Sequence, residues 1–162
     1  MSTPPPLGFW HPASLIGTWF GVGMLPKAPG LWAALAALPV AFSLQHAAGP
    51  LGVAIGCAIL FVSGLWATEM LLKNANEEDG IEDTIVIDNV TGQTLTLVAV
   101  PADPVFYAIA YIGFTLMIVM KPWPTTAVRP AFNGAVGIML DDVFGAIVIA
   151  ALLFFSIQGV PA

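Results

Sequence analysis

The sequence predicts an all-α polytopic membrane helix bundle, with about five transmembrane helices and a short N-terminal re-entrant or interfacial segment. Three observations lead there. Of 162 residues, 58% are hydrophobic and only 9% are charged, whereas a soluble domain carries roughly 25% charged residues. The mean hydropathy is +0.90. The apolar residues also gather in runs close to the roughly 20 residues that cross a bilayer. Only four residues are basic, Lys27, Lys73, Lys121 and Arg129, too few to neutralise a row of phosphates, so nucleic-acid binding is excluded. Cys57 is the single cysteine, which excludes a disulfide scaffold.

Along the chain, residues 1–13 form a Pro-rich tail with three consecutive prolines, Pro4–Pro6, expected to be extended. With no basic residue in Met1–Leu7, the start is not expected to be a cleaved signal peptide. Residues 14–158 read as one membrane domain. Ser14–Leu25 is apolar but short and Gly-rich, which suits a re-entrant or interfacial segment held against protein. Leu31–Gln45 and Pro50–Leu72 are the first two crossings. Thr84–Val100 is weaker, because it carries Asp88, Asn89, Gln93 and several threonines. Pro104–Met120 is cleanly apolar. Gly134–Ile157 is apolar with Asp141 and Asp142 in its first half.

Charge supports counting Thr84–Val100 as a crossing. With five crossings, Lys27, Lys73, Lys121 and Arg129 all fall on one face, which the positive-inside rule makes cytoplasmic. Without it, Lys121 and Arg129 fall opposite Lys73. The same topology gathers Asp88, Asp141, Asp142 and the acidic stretch 77–83 on that face, which predicts a multi-pass protein with its site on the cytoplasmic side.

Three clusters could carry chemistry. The first is Leu25-Pro-Lys-Ala-Pro-Gly30, just before a helix. Backbone N–H groups at a helix start attract anions, and Lys27 adds a charge; alternatively, Pro and Gly simply start the helix and Lys27 marks the membrane boundary. The second is Asp88, Asn89 and Gln93. Asn89 and Gln93 share a helix face at i and i+4, as ligands for a metal or substrate or as interhelical hydrogen-bonding groups. The third is Gly137-Ile-Met-Leu-Asp-Asp142. Two carboxylates within a membrane helix are costly and mark a functional site. Hard oxygens of this kind suit Mg²⁺, which binds one or two carboxylates, waters and substrate phosphate. Lys121-Pro-Trp-Pro124 sits at the boundary, with Lys121 able to hold a phosphate and Trp123 able to anchor the interface. Glu69 has Lys73 at i+4 as a partner. His11 and His46 are isolated and read as interface residues.

In this order the clusters resemble the phosphatidylglycerophosphatase A family. The resemblance rests on Gly17-Thr-Trp-Phe-Gly-Val-Gly-Met-Leu-Pro-Lys-Ala-Pro-Gly30, Ile85-Val-Ile-Asp88 with Gly92-Gln93, Lys121-Pro-Trp-Pro124, and Gly137-Ile-Met-Leu-Asp-Asp142. It extends from about Ile16 to Ile157. It implies a Mg²⁺-dependent phosphatase of the bacterial inner membrane that converts phosphatidylglycerophosphate to phosphatidylglycerol. By that resemblance Asp88, Asp141 and Asp142 are the catalytic and metal-binding residues, and Lys27, Gly30, Gln93 and Lys121 bind substrate.

The resemblance also marks departures. The family pattern has Thr where this chain has Leu31, Glu where it has Asn89, Arg where it has Thr115, and Asp where it has Ile118. Loss of an arginine that stabilises transition-state charge costs about 10³–10⁵ in rate, and neither Asn89 nor Ile118 brings a negative charge to a metal. These losses favour reduced or absent activity. Two other readings therefore stand beside the enzyme: a catalytically inactive relative that serves as an accessory subunit of a larger membrane complex, joined through the tail and transmembrane helices, and a protein that binds or transports lipid in the same cavity.

Overall fold

The computed structural model describes residues 5–76, 80–120 and 129–158, and every regular element among them is helical. Helix α1 (Pro12–Gly17) is a short turn capped by His11, whose side chain accepts a hydrogen bond from the Ala13 N–H at 3.2 Å. His11 thus has a structural role. A 3₁₀ turn at Val22–Met24 follows. Between them Trp19, Phe20 and Gly21 all adopt positive φ (48°, 55° and 92°), rare for aromatic residues. The Thr18 hydroxyl holds this reversal, donating to Ser14 O at 2.7 Å and accepting from the Gly21 N–H at 3.1 Å. Ser14–Leu25 therefore folds back on itself at residues 19–21.

Helix α2 (Pro29–Asn74) opens with a proline in its first turn, where the missing N–H costs nothing, and has Lys73 in its last turn, where a cation faces the negative helix end. Its backbone leaves helical geometry at Ala48 and Gly49 (φ 63°). The chain turns back there. A Leu44 methyl carbon lies 2.6 Å from where a Cβ on Gly56 would sit, whereas twelve residues of straight helix would separate them by about 18 Å. The two arms, 29–47 and 50–74, match the first two apolar segments. Lys73 and Glu69 pair at 3.0 Å, as the i+4 spacing predicted.

A 3₁₀ turn at Ile81–Thr84 leads into α3 (Ile87–Val98). At 12 residues α3 rises only about 18 Å, shorter than the Thr84–Val100 segment expected as a crossing. It is also the most enclosed helix, with Asn89, Thr91, Gln93, Thr94 and Thr96 all buried, mainly by α2 and α5. Burial in protein explains how so polar a helix persists among apolar ones. Its threonines satisfy themselves, Thr91 donating to Ile87 O, Thr94 to Val90 O and Thr96 to Gly92 O at 2.7–3.0 Å.

Helix α4 (Pro104–Met120) starts where the Asp103 carboxylate accepts from the Val105 N–H at 2.8 Å. Helix α5 (Gly134–Gln158) is long and apolar. Among the described residues two helices, α2 and α5, are long and apolar enough to cross a membrane, and α4 is a shorter apolar helix. Large apolar side chains on these helices are exposed, among them Leu51, Val62, Val105, Leu152 and Phe155, the outer surface of a membrane protein.

Candidate functional site: a cleft where three helices meet at Asn89

The starts of α2 and α3 and the first half of α5 converge on Asn89. Its Nδ2 donates to Asp142 Oδ2 at 2.6 Å, in the protein interior. Its Oδ1 fills the space left by Gly30, where a Cβ would come within 1.9 Å of it. Its backbone N–H donates to Asp88 Oδ1 at 2.9 Å. One side chain thus joins the helix that follows the Lys27 loop, the helix of Asp88 and the helix of Asp141 and Asp142. Gly92 brings α3 still closer to α5: a Cβ there would lie 3.1 Å from Asp142 O and 2.5 Å from the Phe114 ring of α4.

The N-terminal segment fixes the start of α3. The Val86 N–H donates to Gly17 O at 2.9 Å, and a Cβ on Gly23 would lie 1.9 Å from Thr84 O. On the far side Tyr111 Oη donates to Leu31 O at 3.3 Å, which ties α4 to the first turn of α2. Between these supports lies an open cleft of about 340 Å³, lined in part by Gly30, Leu31, Asp83, Val86, Asn89 and Ile118.

The sequence-predicted residues distribute as follows. Asp88 is half-buried at the start of α3. Asp141 and Asp142 are buried on α5, and Asp142 is linked to the cleft through Asn89. Gly30 lines the cleft, and its missing side chain serves the packing of Asn89. Lys27 is exposed on the loop leading to the cleft. Gln93 lies one helical turn further along α3 than Asn89 and is fully buried. Lys121 and Trp123 lie outside the described residues. Among the described residues no three His, Cys, Asp or Glu side chains converge as an all-protein metal cage. His46 sits against Phe42, with ring centroids 4.2 Å apart, away from the cleft.

Sequence reasoning did not anticipate that three of the positions departing from the family pattern, Leu31, Asn89 and Ile118, would face one cleft. It also missed the ion pair between Arg129 and Glu82, which connects the segment before α5 to the turn before α3. No local pattern carries a contact across 47 residues.

Comparison with known proteins identifies the family. Residues 15–157 match the family described as Phosphatidylglycerophosphatase A. Phosphatidylglycerophosphatase A of Escherichia coli (strain K12) is 28% identical over 149 residues, covering 90% of this chain and 82% of that protein. The protein of the same name from Haemophilus influenzae is 29% identical over 151 residues, covering 91% and 90%. A Bacteroides thetaiotaomicron protein named "Putative phosphatidylinositol-3-phosphatase" is 32% identical over 140 residues, covering 82% and 86%. No solved structure matches. With the family match running over residues 15–157, nearly the whole length, the chain belongs to the phosphatidylglycerophosphatase A family.

Proposed function

We propose that this protein is a lipid phosphomonoesterase that hydrolyses phosphatidylglycerophosphate to phosphatidylglycerol at the cytoplasmic face of a bacterial inner membrane. Family membership supports the reaction class. The observation that carries the assignment to this cleft is the Asn89–Asp142 hydrogen bond, because it joins the motif-bearing helices at one point beside an open cavity.

The proposed roles follow from burial and chemistry. The terminal phosphate enters at the first turn of α2, where the helix N-terminus is electropositive and the exposed Lys27 adds a cation. Asp88, half-buried at the start of α3 next to the cleft-lining Asn89, takes the proton from the attacking water. Water adds to the terminal phosphorus, the P–O bond to the glycerol oxygen breaks, and that oxygen leaves as a hydroxyl with a proton. Asp88, Asp141 and Asp142 offer hard oxygens, and one or two carboxylates with waters and substrate phosphate suffice for Mg²⁺. They therefore fit that cation without an all-protein cage. Bound there, Mg²⁺ would supply Lewis-acid charge for the phosphoryl oxygens. The basic residues share the cytoplasmic face when five segments cross, the topology adopted in this reading.

Phosphate release from phosphatidylglycerophosphate in detergent or vesicles tests the proposal. Mg²⁺-dependent release well above an Asp141→Ala control supports it, and release equal to that control removes it.

A second reading is favoured by one specific observation. Leu31, Asn89 and Ile118 line the same cleft, so the losses from the family pattern fall together where substrate would bind. In this reading the protein is an inactive relative retained as an accessory subunit of a larger membrane assembly. Purification in mild detergent separates the two: stable co-migrating subunits favour it, and a lone active monomer excludes it.

A further inference from the structure

Arg129 is the chain's only arginine, and three observations place it beside the cleft. Its guanidinium pairs with Glu82, and Glu82 directly precedes Asp83, which lines the cleft. Its charge also reaches the carboxylate of Asp88, one residue before the cleft-lining Asn89. Its backbone is packed on α5: a Cβ on Gly137 would come within 2.9 Å of Arg129 O, and Gly137 stands about one helical turn before Asp141. Arg129 therefore sits where the turn before α3, the start of α3 and the start of α5 meet.

The charges around the cleft need a cation. Among the described residues that line it, Asp83 is negative and none is basic. Lys73 is paired with Glu69 at 3.0 Å, and Lys27 is exposed on the loop before α2. A phosphate entering beside Asp83 requires a positive group within reach, and Arg129 is held one residue away, at Glu82. The pair is also suited to exchange. Both side chains are about half exposed, and exposed pairs hold weakly. Glu82 brings one negative charge. A phosphate monoester brings about 1.5 to 2 at neutral pH and accepts both prongs of a guanidinium fork.

We infer that Arg129 binds the phosphate of a lipid phosphomonoester at the cleft and that Glu82 holds the guanidinium until that phosphate displaces it. The inference rests on reading the cleft as a phosphomonoester site. It makes the Glu82 pair a holding position for a binding residue, with the carboxylate and the substrate competing for one cation. Because the Arg129 backbone is packed at Gly137, the exchange moves a side chain and leaves the helices in place.

The test titrates the full chain, in phosphatidylcholine nanodiscs with EDTA, with phosphatidylglycerophosphate or phosphatidylglycerol and counts retained lipid by native mass spectrometry. Arg129→Gln is expected to lower retention of phosphatidylglycerophosphate at least about tenfold, the scale of a charged hydrogen bond, and to leave phosphatidylglycerol unchanged. Arg129→Lys, which keeps the charge but not the fork, is expected to recover part of the loss. Glu82→Gln is expected to raise retention about two- to fivefold, the strength of the exposed pair it removes. In the Arg129→Gln background it is expected to raise nothing. Unchanged retention in Arg129→Gln overturns the inference. So does unchanged or weaker retention in Glu82→Gln, which would make the pair a strut. A Glu82→Gln gain that persists without Arg129 overturns it too and assigns the gain to general repulsion by Glu82. Phosphate release with Mg²⁺ is read separately. A wild-type protein whose retention depends on Arg129 but which releases no phosphate keeps this inference and loses the hydrolytic reading. Release with the same KM and kcat in wild type and Arg129→Gln keeps the hydrolytic reading and loses this inference.

Discussion

Asn89 and Asp142, 53 residues apart in the chain, meet in a 2.6 Å hydrogen bond inside the bundle. The amide donates to a carboxylate that would otherwise be buried without this donor, and hydrogen bonds to charged groups contribute about 1.5–3 kcal/mol. Asn89→Leu should therefore destabilise the protein by roughly that amount. Thermal or denaturant unfolding in detergent measures it, and an unchanged midpoint would show that the bond contributes nothing.

Gly30 and Asn89 form a second coupled pair. A methyl group at residue 30 would collide with Asn89 Oδ1, and overpacking of this kind costs about 1–3 kcal/mol. Gly30→Ala alone should be destabilising in that range. In the Asn89→Ala background the obstructing oxygen is gone, so Gly30→Ala should cost much less. A double-mutant cycle checks this, and strict additivity would contradict the packing role given to Gly30.

Gly23 differs, because its neighbour is backbone. A Cβ there would meet Thr84 O at 1.9 Å, and a carbonyl in a turn cannot rotate away as a side chain can. Gly23→Ala should fall at the upper end of the overpacking range, about 3 kcal/mol, and should displace the start of α3. Limited proteolysis after Leu25 reports the loosened N-terminal segment, with faster cleavage than wild type expected.

The Arg129–Glu82 ion pair should matter little to stability. Both side chains are about half exposed, and exposed pairs contribute about 0–1 kcal/mol. Glu82→Gln should leave the unfolding midpoint within about 1 kcal/mol of wild type, with any difference shrinking as salt is raised. A larger loss would show that the pair holds α5 against α3.

Much of the fold was legible in the sequence, for reasons particular to each element. Hydropathy located the arms of α2, along with α4 and α5, because helices facing lipid must be apolar over their outer surface. The gap between the two apolar runs, residues 46–49, contains the break in α2, where Gly49 has positive φ. The polar residues of α3 were visible, and so was the requirement that they be enclosed. Its shortness was not, because burial by neighbours relieves a helix of the length a bilayer demands.

The site was legible as a set of motifs but not as an arrangement. Asp88, Asp141 and Asp142 stood out because carboxylates are costly in an apolar chain. Asn89 was read as a metal or substrate ligand or as an interhelical hydrogen-bonding group, and the structure shows it hydrogen-bonded across to α5. Its bond to Asp142 depends on how α3 lies against α5, which no local spacing encodes. Gly30 looked like part of an anion-binding loop, and its contact with Asn89 appears only once two distant segments pack.

The central claim is that this cleft hydrolyses a lipid phosphomonoester. Its most direct measurement is conversion of phosphatidylglycerophosphate to phosphatidylglycerol by purified protein in vesicles, resolved chromatographically for wild type and Asp142→Ala. The account predicts conversion by wild type that stops on removal of Mg²⁺ and falls at least about 100-fold in the variant, the scale of losing a group that stabilises the transition state. No conversion by folded wild-type protein, or equal conversion by the two, would contradict it.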